Sequence, residues 1–315
     1  MGDAPAPPRV RVTARPTDAE VRAILALADE AARADGAHPL GEHVVLHLRH
    51  GGMPAQHVLV EDPQSGRLLG YAHLDLSDPE GPAAEIAVSP AARRRGVGTT
   101  LLGALIDADP GRRLQLWAHG TDAAAAQLAA SRGFHRVRRL WQMRRSLFAP
   151  LDPVALPPGT VMRTFDPDGD AAAWLALNAR AFANLPDQAG WRRADLDRRL
   201  AEPWFDPAGF LLAEGPDGAL IGFHWTKVHR HHHDPEGADH DHPHDPLGEV
   251  YIVGVDPGYR GHGLGRALTL AGLHHLRSRG LPVALLYVDA DNAPAIALYR
   301  SLGFAVWDSD TLFRR

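Results

Sequence analysis

The chain has 315 residues, of which 45% are hydrophobic and 23% are charged, and its formal net charge is -5 at pH 7. This is typical of a globular protein of about two domains, and the arginines sit in short loops rather than along one stripe, so we expect no nucleic-acid partner. The chain has no cysteine, which excludes disulfides and thiol nucleophiles. No stretch approaches the ~18 apolar residues of a membrane span and the start does not resemble a signal peptide, so we expect a cytoplasmic protein without a membrane partner.

The first half begins with a predicted helix and leads to a basic glycine loop. Thr17-Asp18-Ala19-Glu20 has the pattern of a capping box and predicts a helix that runs to about Asp35. Strands are predicted near 57–63, 67–75 and 83–89. The last strand leads into Arg93-Arg94-Arg95-Gly96-Val97-Gly98-Thr99. A Gly-x-Gly loop before a helix offers backbone N–H groups and a positive helix start, so this loop is predicted to bind a phosphate.

The second half repeats this order. The Pro-rich segment 148–159 predicts an extended linker, because proline can neither continue a helix nor pair centrally in a sheet. A helix near 170–183 and strands near 209–214, 219–227 and 249–256 are predicted to follow. The next loop runs Arg260-Gly261-His262-Gly263-Leu264-Gly265-Arg266. It is again followed by a predicted helix and a strand over 283–288.

The two halves are related by duplication. Gly96 and Gly263 are 167 residues apart, and the Gly-Phe pairs that begin at Gly133 and Gly303 are 170 residues apart. Two motifs that recur at nearly one offset indicate a duplicated domain. We therefore predict an α+β (mixed α/β) fold with two tandem domains, 1–147 and 160–315, joined by the linker 148–159, each with a mixed central β-sheet flanked by helices.

The glycine loops and the later motif carry a family resemblance. Arg260 to Gly265, Asp291-Asn292, Tyr299 and Leu302-Gly303-Phe304 resemble the motifs of the GNAT N-acetyltransferases, while the first half matches only in its loop and its Gly-Phe. The resemblance implies acetyl-CoA as the cosubstrate. The implied cofactor-binding residues are Val253, Gly254, Val255, Arg260, Gly261, His262, Gly263, Leu264, Gly265, Arg266, Asn292, Ala293, Pro294, Ala295, Ile296 and Ala297, and in the first half Ile86, Ala87, Val88, Arg94, Arg95, Gly96, Val97, Gly98 and Thr99.

Longer segments narrow the resemblance. The segments 222–229, 248–257 and 285–288, with Trp117-Ala118-His119-Gly120-Thr121 in the first half, resemble the mycothiol synthase family of tandem GNAT enzymes. That resemblance implies acetylation of the cysteinyl amine of cysteinyl-glucosaminyl-inositol, the last step of mycothiol biosynthesis. Two alternatives stay open: a GNAT enzyme for another amine, such as a peptide N-terminus or an aminosugar, and a non-catalytic acyl-CoA sensor.

The chemistry of amine acetylation selects two candidate catalytic residues. The site must deprotonate the amine, stabilise an oxyanion and protonate the leaving thiolate. Glu249 opens the strand that runs into the second glycine loop and is the candidate base; the alternative is a solvated acid at a strand end. Tyr299 is the candidate acid, as the resemblance also implies; the alternative is a packed aromatic ring. Ala129 stands at the matching place in the first half and can donate no proton, so we expect only the second domain to be catalytic.

Substrate contacts are implied by the resemblance rather than by spacing. They are Glu42, Asp187, Lys227, Glu249 and Tyr287. Carboxylates accept from hydroxyl and ammonium groups while Lys and Tyr donate, which suits a polyhydroxylated amine. Asp187 is shorter than the acid that the family commonly has there, and Glu42 has the alternative role of a helix-start charge.

The segment 229–245 departs from the family pattern. It holds seven histidines interleaved with carboxylates, a donor set that could bind Zn²⁺ or Ni²⁺. Its Pro, Gly and Asp content instead favours a surface insertion, which could act as a flap over the substrate, because fixed metal sites need ordered second shells. We assign no metal-ligating residues and expect a monomer that binds a small thiol-sugar.

Overall fold

The computed structural model describes residues 7–52, 54–77, 81–109, 111, 113–121, 123–229 and 246–315, without the side chains of 186 and 187. The chain divides into two compact units. Unit 1 comprises Met1–Trp141 with Asp308–Arg315, and unit 2 comprises Gln142–Trp307. This division differs from the predicted contiguous halves, because residues 142–147 belong to unit 2 and the last eight residues belong to unit 1.

Unit 1 is an α+β unit with helices on both faces of a mixed sheet. Its elements are β1 (Arg9–Thr13), α1 (Asp18–Asp35), α2 (Glu42–His50), β2 (Ala55–Glu61), β3 (Leu68–Asp75), β4 (Ala83–Val88), α3 (Val97–Ala108), β5 (Gln115–Ala118), α4 (Ala123–Ser131), the start of β6 (His135–Ser146) and most of β12 (Ala305–Arg314).

The sheet of unit 1 has the strand order β1-β2-β3-β4-β5-β12. Among its described residues, β4 and β5 pair in parallel and the other neighbouring strands pair antiparallel. Alternate residues of β2 face opposite sides, as the period of two requires. Val58 packs in the core with Leu101 of α3, and Leu59 packs with Ile24 of α1 and Val44 of α2.

Unit 2 repeats this arrangement. Its elements are the end of β6, β7 (Val161–Thr164), α5 (Ala171–Ala181), α6 (Pro186–Ala189), α7 (Arg193–Leu200), β8 (Phe210–Glu214), β9 (Leu220–His229), β10 (Leu247–Val255), α8 (Leu264–Ser278), β11 (Val283–Asp289), α9 (Ala293–Ser301) and the start of β12. The strand order is β6-β11-β10-β9-β8-β7.

One face of the unit 2 sheet carries an aromatic core. Phe210 stacks on Trp225 with ring centroids 4.4 Å apart, and Trp174 of α5 meets Trp225 edge to face at 5.9 Å. Both tryptophans are fully buried. Aromatic pairs of this kind stabilise the folded state beyond the contribution of the buried apolar area. This aromatic core therefore holds α5 firmly against the sheet.

Each sheet contains a short pair of parallel strands, and the first strand of that pair leads into the glycine loop. β4 pairs with β5 through Ala83–Glu85, and β10 pairs with β11 through Leu247–Glu249. In β10 the register against β9 shifts between Val250 and Ile252, which is a β-bulge. Bulges bend a strand and often lie next to active sites. In both pairs the described residues are paired at three positions. Beyond the third position the strands are free to separate.

The predicted elements correspond closely to the observed ones. The capping box is confirmed: the Thr17 side chain accepts from the Glu20 backbone N–H, and the Glu20 side chain accepts from that of Thr17. The predicted linker is part of unit 2, where the Asp152 carboxylate accepts from Arg266 at 2.5 Å and the Asp152 carbonyl lies 2.9 Å from the His274 ring. In the described part of the chain, no helix is long and apolar enough to cross a membrane.

Candidate active site

The two glycine loops adopt matching backbone conformations. Gly96 and Gly263 have φ of 84° and 82° and directly precede α3 and α8. Two residues earlier, Gly261 has φ of 82° and Arg94 has φ of 62°. A left-handed arginine is unfavourable by ~1–2 kcal/mol, so the conformation of the first loop is maintained even where the glycine has been replaced. Both helices begin with unsatisfied N–H groups, the arrangement that binds phosphates.

The last glycine of each loop, Gly98 or Gly265, is required by the same kind of close packing in both units. A Cβ atom on Gly98 would lie 3.3 Å from Leu128 and 3.8 Å from Val88. A Cβ atom on Gly265 would lie 3.9 Å from Leu298 and 3.7 Å from Val255. These neighbours are themselves equivalent in the duplication. The close approach of the helix to its strand is therefore preserved in both halves.

Unit 1 contains a cavity of about 670 Å³ at its glycine loop. Trp117, His119 and Ala129 line it together with part of the predicted cofactor set, namely Ile86, Val88, Arg94, Gly96, Val97, Gly98 and Thr99. The other two predicted residues are not among those that line the cavity: Ala87 is buried in the core on the α1 side, and Arg95 is exposed. The cavity has the size of a small-molecule site.

In unit 2 several predicted cofactor residues also have structural partners. Gly254 leaves room for the Phe223 ring, which a Cβ atom would approach to 2.4 Å. Arg260 donates to the carbonyl of Ala181 at 2.7 Å, and Arg266 donates to Ser301 at 3.0 Å. Val253 and Val255 lie on β10, and His262 is exposed. Both arginine side chains are thus engaged by other groups of unit 2.

The later motif forms the start of α9. The Asn292 side chain caps the helix by accepting from the Ala295 backbone N–H at 3.2 Å, and a proline follows in the first turn. Ala293, Pro294 and Ala297 are exposed, whereas Ile296 is buried. The motif therefore fixes where the helix that carries Tyr299 begins.

Glu249 is buried and paired with an imidazole. It is 6% exposed, and the Nε2–H of His229 donates to its Oε2 at 2.6 Å. His229 lies at the end of β9, directly opposite Leu247, and is half-exposed. The alternative of a solvated acid at a strand end is therefore wrong. His229 was not among the predicted site residues; its proximity follows from the β9–β10 register.

Lys227 and Tyr287 share the sheet face of Glu249. Lys227 is directly opposite Glu249 in the antiparallel register, and its Nζ lies 4.8 Å from the ring centroid of Trp204. Glu249 pairs with Leu285 on the other side, and Tyr287 lies two residues further along β11. Tyr287 is 44% exposed and its hydroxyl accepts from Gln142 at 2.8 Å. A cation, a carboxylate and a phenol thus line one surface.

The remaining predicted residues fall in three places. Tyr299 lies in α9 with its ring centroid 5.9 Å from that of Phe304, edge to face, and burial raises the pKa of its hydroxyl to about 12. It is both packed and half-buried. Glu42 is the first residue of α2 in unit 1. The side chain of Asp187, and residues 230–245 of the histidine-rich segment, lie outside the described residues.

Unit 1 holds a buried carboxylate that the sequence did not single out. Glu85 of β4 is 2% exposed, accepts from the Gly41 backbone N–H at 2.5 Å, and lies 3.4 Å from His119 and 3.6 Å from His43. His119 also contacts Asp310 at 3.0 Å. Burial alone would raise the pKa of Glu85, but the two imidazoles and the hydrogen bonds outweigh it and lower that pKa to about 2.

The same network acts on His119. Burial is the largest single influence and would lower the pKa of this imidazole, but Glu85 and Asp310 together raise it to about 10. Unit 1 therefore carries a carboxylate that is ionised at neutral pH, next to the cavity-lining His119. A base is most effective when its pKa is near the working pH, so Glu85 is poorly suited to that task.

Comparisons with known proteins agree with these loops and motifs. The model of the acetyltransferase (GNAT) family matches residues 22–134 and 173–304. A mycothiol acetyltransferase of Acidothermus cellulolyticus is 54% identical, with 99% of this chain and 96% of that protein covered. A mycothiol acetyltransferase of Thermobispora bispora is also 54% identical, with 97% and 99% covered. This chain belongs to the mycothiol acetyltransferase family of GNAT enzymes.

Solved structures share the tandem fold. A tandem GNAT protein from the clavulanic acid biosynthesis pathway has a TM-score of 0.72 at 24% identity, with 98% of both chains covered. A GCN5-related N-acetyltransferase from Sphaerobacter thermophilus has a TM-score of 0.68 at 26% identity, with 97% of this chain and 95% of that chain covered. The predicted fold class of two tandem GNAT domains is confirmed, and the chain is an N-acetyltransferase whose family uses acyl-CoA.

Proposed function

We propose that this enzyme transfers the acetyl group of acetyl-CoA to the cysteinyl amine of cysteinyl-glucosaminyl-inositol. The observation that carries the proposal is the buried Glu249–His229 pair on the strand that leads into the glycine loop of unit 2. High identity to mycothiol acetyltransferases over nearly the whole chain supports this choice of substrate.

The proposed reaction forms one bond and breaks one. The amine nitrogen attacks the thioester carbonyl, and the tetrahedral intermediate then expels the CoA thiolate. Glu249 accepts the proton that the amine loses, directly or through a water, because an α-amine with a pKa of about 8 needs only a modest base. His229 holds the carboxylate in place through its 2.6 Å hydrogen bond. The β10 bulge at Tyr251 lies just beyond the last paired position of β10 and β11, where the two strands would hold the acetyl end of the cosubstrate.

Tyr299 is the proposed proton donor to the leaving thiolate. Burial raises the pKa of its hydroxyl to about 12, so the phenol stays protonated throughout the neutral range. The N–H groups at the start of α8, after Gly263, are the proposed pyrophosphate site. Lys227, Tyr287 and Asp187 of unit 2 are the proposed contacts to the sugar and cysteinyl groups, and the role of Glu42 stays a prediction from the sequence.

Unit 1 is proposed to bind acetyl-CoA without turning it over. Its cavity of about 670 Å³ lies on a glycine loop whose conformation matches that of unit 2. Ala129 is buried at the place that Tyr299 has in the duplicate, and Glu85 is committed to Gly41, His119 and His43. Among the described residues, unit 1 therefore has no phenol at the place of Tyr299, and its buried carboxylate Glu85 is already engaged by other groups. We further propose that the enzyme is cytoplasmic and monomeric.

The test measures acetyl-CoA consumption with three acceptors, monitored through the release of the CoA thiol. These are cysteinyl-glucosaminyl-inositol, glucosaminyl-inositol and a short peptide with a free N-terminus. We expect the highest kcat/KM with the first acceptor. Preference for either of the other two would identify an acetyltransferase for another amine, and acetyl-CoA binding without turnover of any acceptor would identify a sensor.

A further inference from the structure

Three histidines of unit 1 lie together on the sheet face that packs against α1 and α2. His57 of β2 and His73 of β3 are directly opposite each other in the antiparallel register, and His47 is on α2. One ligand nitrogen from each side chain lies within 4.8 Å of the other two. Within the described part of the chain this is the one such group of potential metal ligands. The proposed acetyl transfer uses none of the three.

The rings are spaced as ligands of a single ion would be. The ring centroids are 5.5 Å apart for His47 and His57, 5.2 Å for His47 and His73, and 5.3 Å for His57 and His73. With Zn–N bonds of about 2.0–2.1 Å and tetrahedral angles, the centroids of three ligating imidazoles are roughly 5 Å apart. The observed triangle matches this spacing on all three sides.

Ring nitrogens of His57 and His73 lack hydrogen-bond partners in the described part of the chain. His57 and His73 are each 1% exposed. Among the described residues, His57 Nε2 and both ring nitrogens of His73 have no hydrogen-bond partner. A buried polar atom left in this way costs about 1–3 kcal/mol, and a bond to a metal ion would remove that cost at one nitrogen of each ring.

His57 is also oriented for ligation. Its Nδ1 lies 2.7 Å from the hydroxyl oxygen of Tyr71, which is fully buried. In the tautomer that ligation through Nε2 requires, Nδ1–H donates to this oxygen. Metal-binding histidines are usually held in this way through their second nitrogen, and Tyr71 therefore supplies the expected supporting contact.

The access route is compatible with a cation. A cavity of about 390 Å³ is lined by His47 and His57 together with residues 14–16 and 50–52, which gives an entry path and room for a water.

We propose that His47, His57 and His73 bind one Zn²⁺ ion, with a water from this cavity as the fourth ligand. Three imidazoles with an open fourth position are an established zinc ligand set. The ion would fasten α2 to the β2–β3 hairpin. The helix α2 begins at Glu42, directly after Gly41, whose backbone N–H donates to Glu85. Zinc would therefore also hold this part of unit 1 in place.

The experiment must separate this site from the histidine-rich segment. The full-length protein is first freed of metal with a chelator. A background variant then has the six histidines of the segment beyond His229 replaced by Gln: His231, His232, His233, His240, His242 and His244. Zn²⁺ binding is measured by competition with a chromophoric chelator, and bound metal is counted by elemental analysis. We expect one equivalent of tightly bound Zn²⁺ in the background variant.

Two further substitutions in that background test the ligands. His73→Gln should lower Zn²⁺ affinity at least 100-fold, and Tyr71→Phe should lower it about 10- to 100-fold by releasing His57. Tyr259→Phe, in unit 2, is the matched control and should leave the affinity unchanged. Far-UV circular dichroism of the metal-free proteins checks that each variant is folded.

Co²⁺ provides a readout that a purely structural histidine cluster would not give. In the background variant it should produce the intense visible absorption of a tetrahedral ion, and this absorption should be lost or altered in Tyr71→Phe. The proposal fails if the background variant binds no stoichiometric Zn²⁺ and gives no tetrahedral Co²⁺ spectrum. The proposal also fails if the Zn²⁺ affinity and the Co²⁺ spectrum of Tyr71→Phe are the same as those of the background variant. This outcome can be read even if His73→Gln does not fold.

Discussion

Replacing Glu85 by Gln should destabilise unit 1 and change how its stability depends on pH. The carboxylate is 2% exposed and lies 3.4 Å from His119 and 3.6 Å from His43. Removing one partner of a buried ion pair costs about 3–5 kcal/mol. Gln retains an acceptor for the Gly41 N–H, so we expect a loss near the lower end, about 3 kcal/mol at pH 7.

The direction of the pH dependence follows from His119. Its pKa is raised from 6.5 to about 10, because Glu85 and Asp310 outweigh the opposing and larger single effect of burial. Folded unit 1 therefore holds this proton more tightly than the unfolded chain does. The resulting stabilisation is fully present below pH 6.5 and is lost as the pH rises toward 10, at up to about 1.4 kcal/mol per pH unit.

Glu85 itself acts at the other end of the pH range. Its pKa is lowered from 4.5 to about 2. The stabilisation from its negative charge is therefore present above pH 4.5 and is lost as the pH falls toward 2. Between pH 7 and pH 9 only the His119 effect changes, and wild-type unit 1 should lose roughly 3 kcal/mol from it.

The assay is urea unfolding with a brief deuterium pulse, read by mass spectrometry at peptides from β4 and β5, at pH 7 and pH 9. Glu61→Gln, in β2 of the same unit, is the control for loss of a strand carboxylate. We expect the difference between the two pH values to be large in wild type and in Glu61→Gln and to be mostly absent in Glu85→Gln. An equally large difference in Glu85→Gln would refute the assignment of this network.

Four further predictions concern the chemistry of unit 2. Tyr299→Phe should lower kcat by about 10²- to 10⁴-fold while the Kd for acetyl-CoA, measured by calorimetry, stays nearly constant; an unchanged kcat would remove Tyr299 from its role. Glu249→Gln should slow the reaction most at pH values below the pKa of the substrate amine and recover partly at high pH, whereas a loss that is uniform across the pH–rate profile would indicate substrate positioning instead. His229→Phe should lower kcat by about 10- to 150-fold, since a hydrogen bond to a charged group is worth about 1.5–3 kcal/mol and Glu249 would lose its orientation; a change in KM alone would show that His229 contacts substrate rather than Glu249. Gly263→Val should abolish turnover, because Gly263 has φ of 82° and its Cβ would enter the open space proposed for the pyrophosphate, while Gly96→Val should lower unit 1 occupancy by acetyl-CoA yet leave measurable turnover; the reverse pattern in folded proteins would move the active site to unit 1.

Local patterns in the sequence were sufficient for the elements and the loops. The capping box at Thr17 and Glu20, the start of α8 after Gly263 and the start of α9 after Asn292 are each determined by contacts within a few residues, so their spacing along the chain predicts them. The duplication was equally visible, because each copy retains the same local requirements. Even the left-handed backbone at Arg94 corresponds to Gly261 at the duplicate offset.

The partners of the site residues were decided by the tertiary structure alone. His229 and Glu249 are 20 residues apart in sequence, and His229 reaches Glu249 only because the β9–β10 register makes them diagonal neighbours on one sheet face. His119 meets Asp310 because the last strand of the chain pairs with β5 in unit 1, an arrangement that contiguous halves do not predict.

The histidine cluster shows the same division. His47, His57 and His73 have no common spacing, and each alone is compatible with an ordinary buried histidine. They come together because a two-residue period places His57 with Leu59 and His73 with Tyr71 on the face covered by α2. A sequence determines hydrogen bonds that close within one turn, whereas contacts between distant strands depend on register, which is fixed only when the whole sheet buries its apolar face.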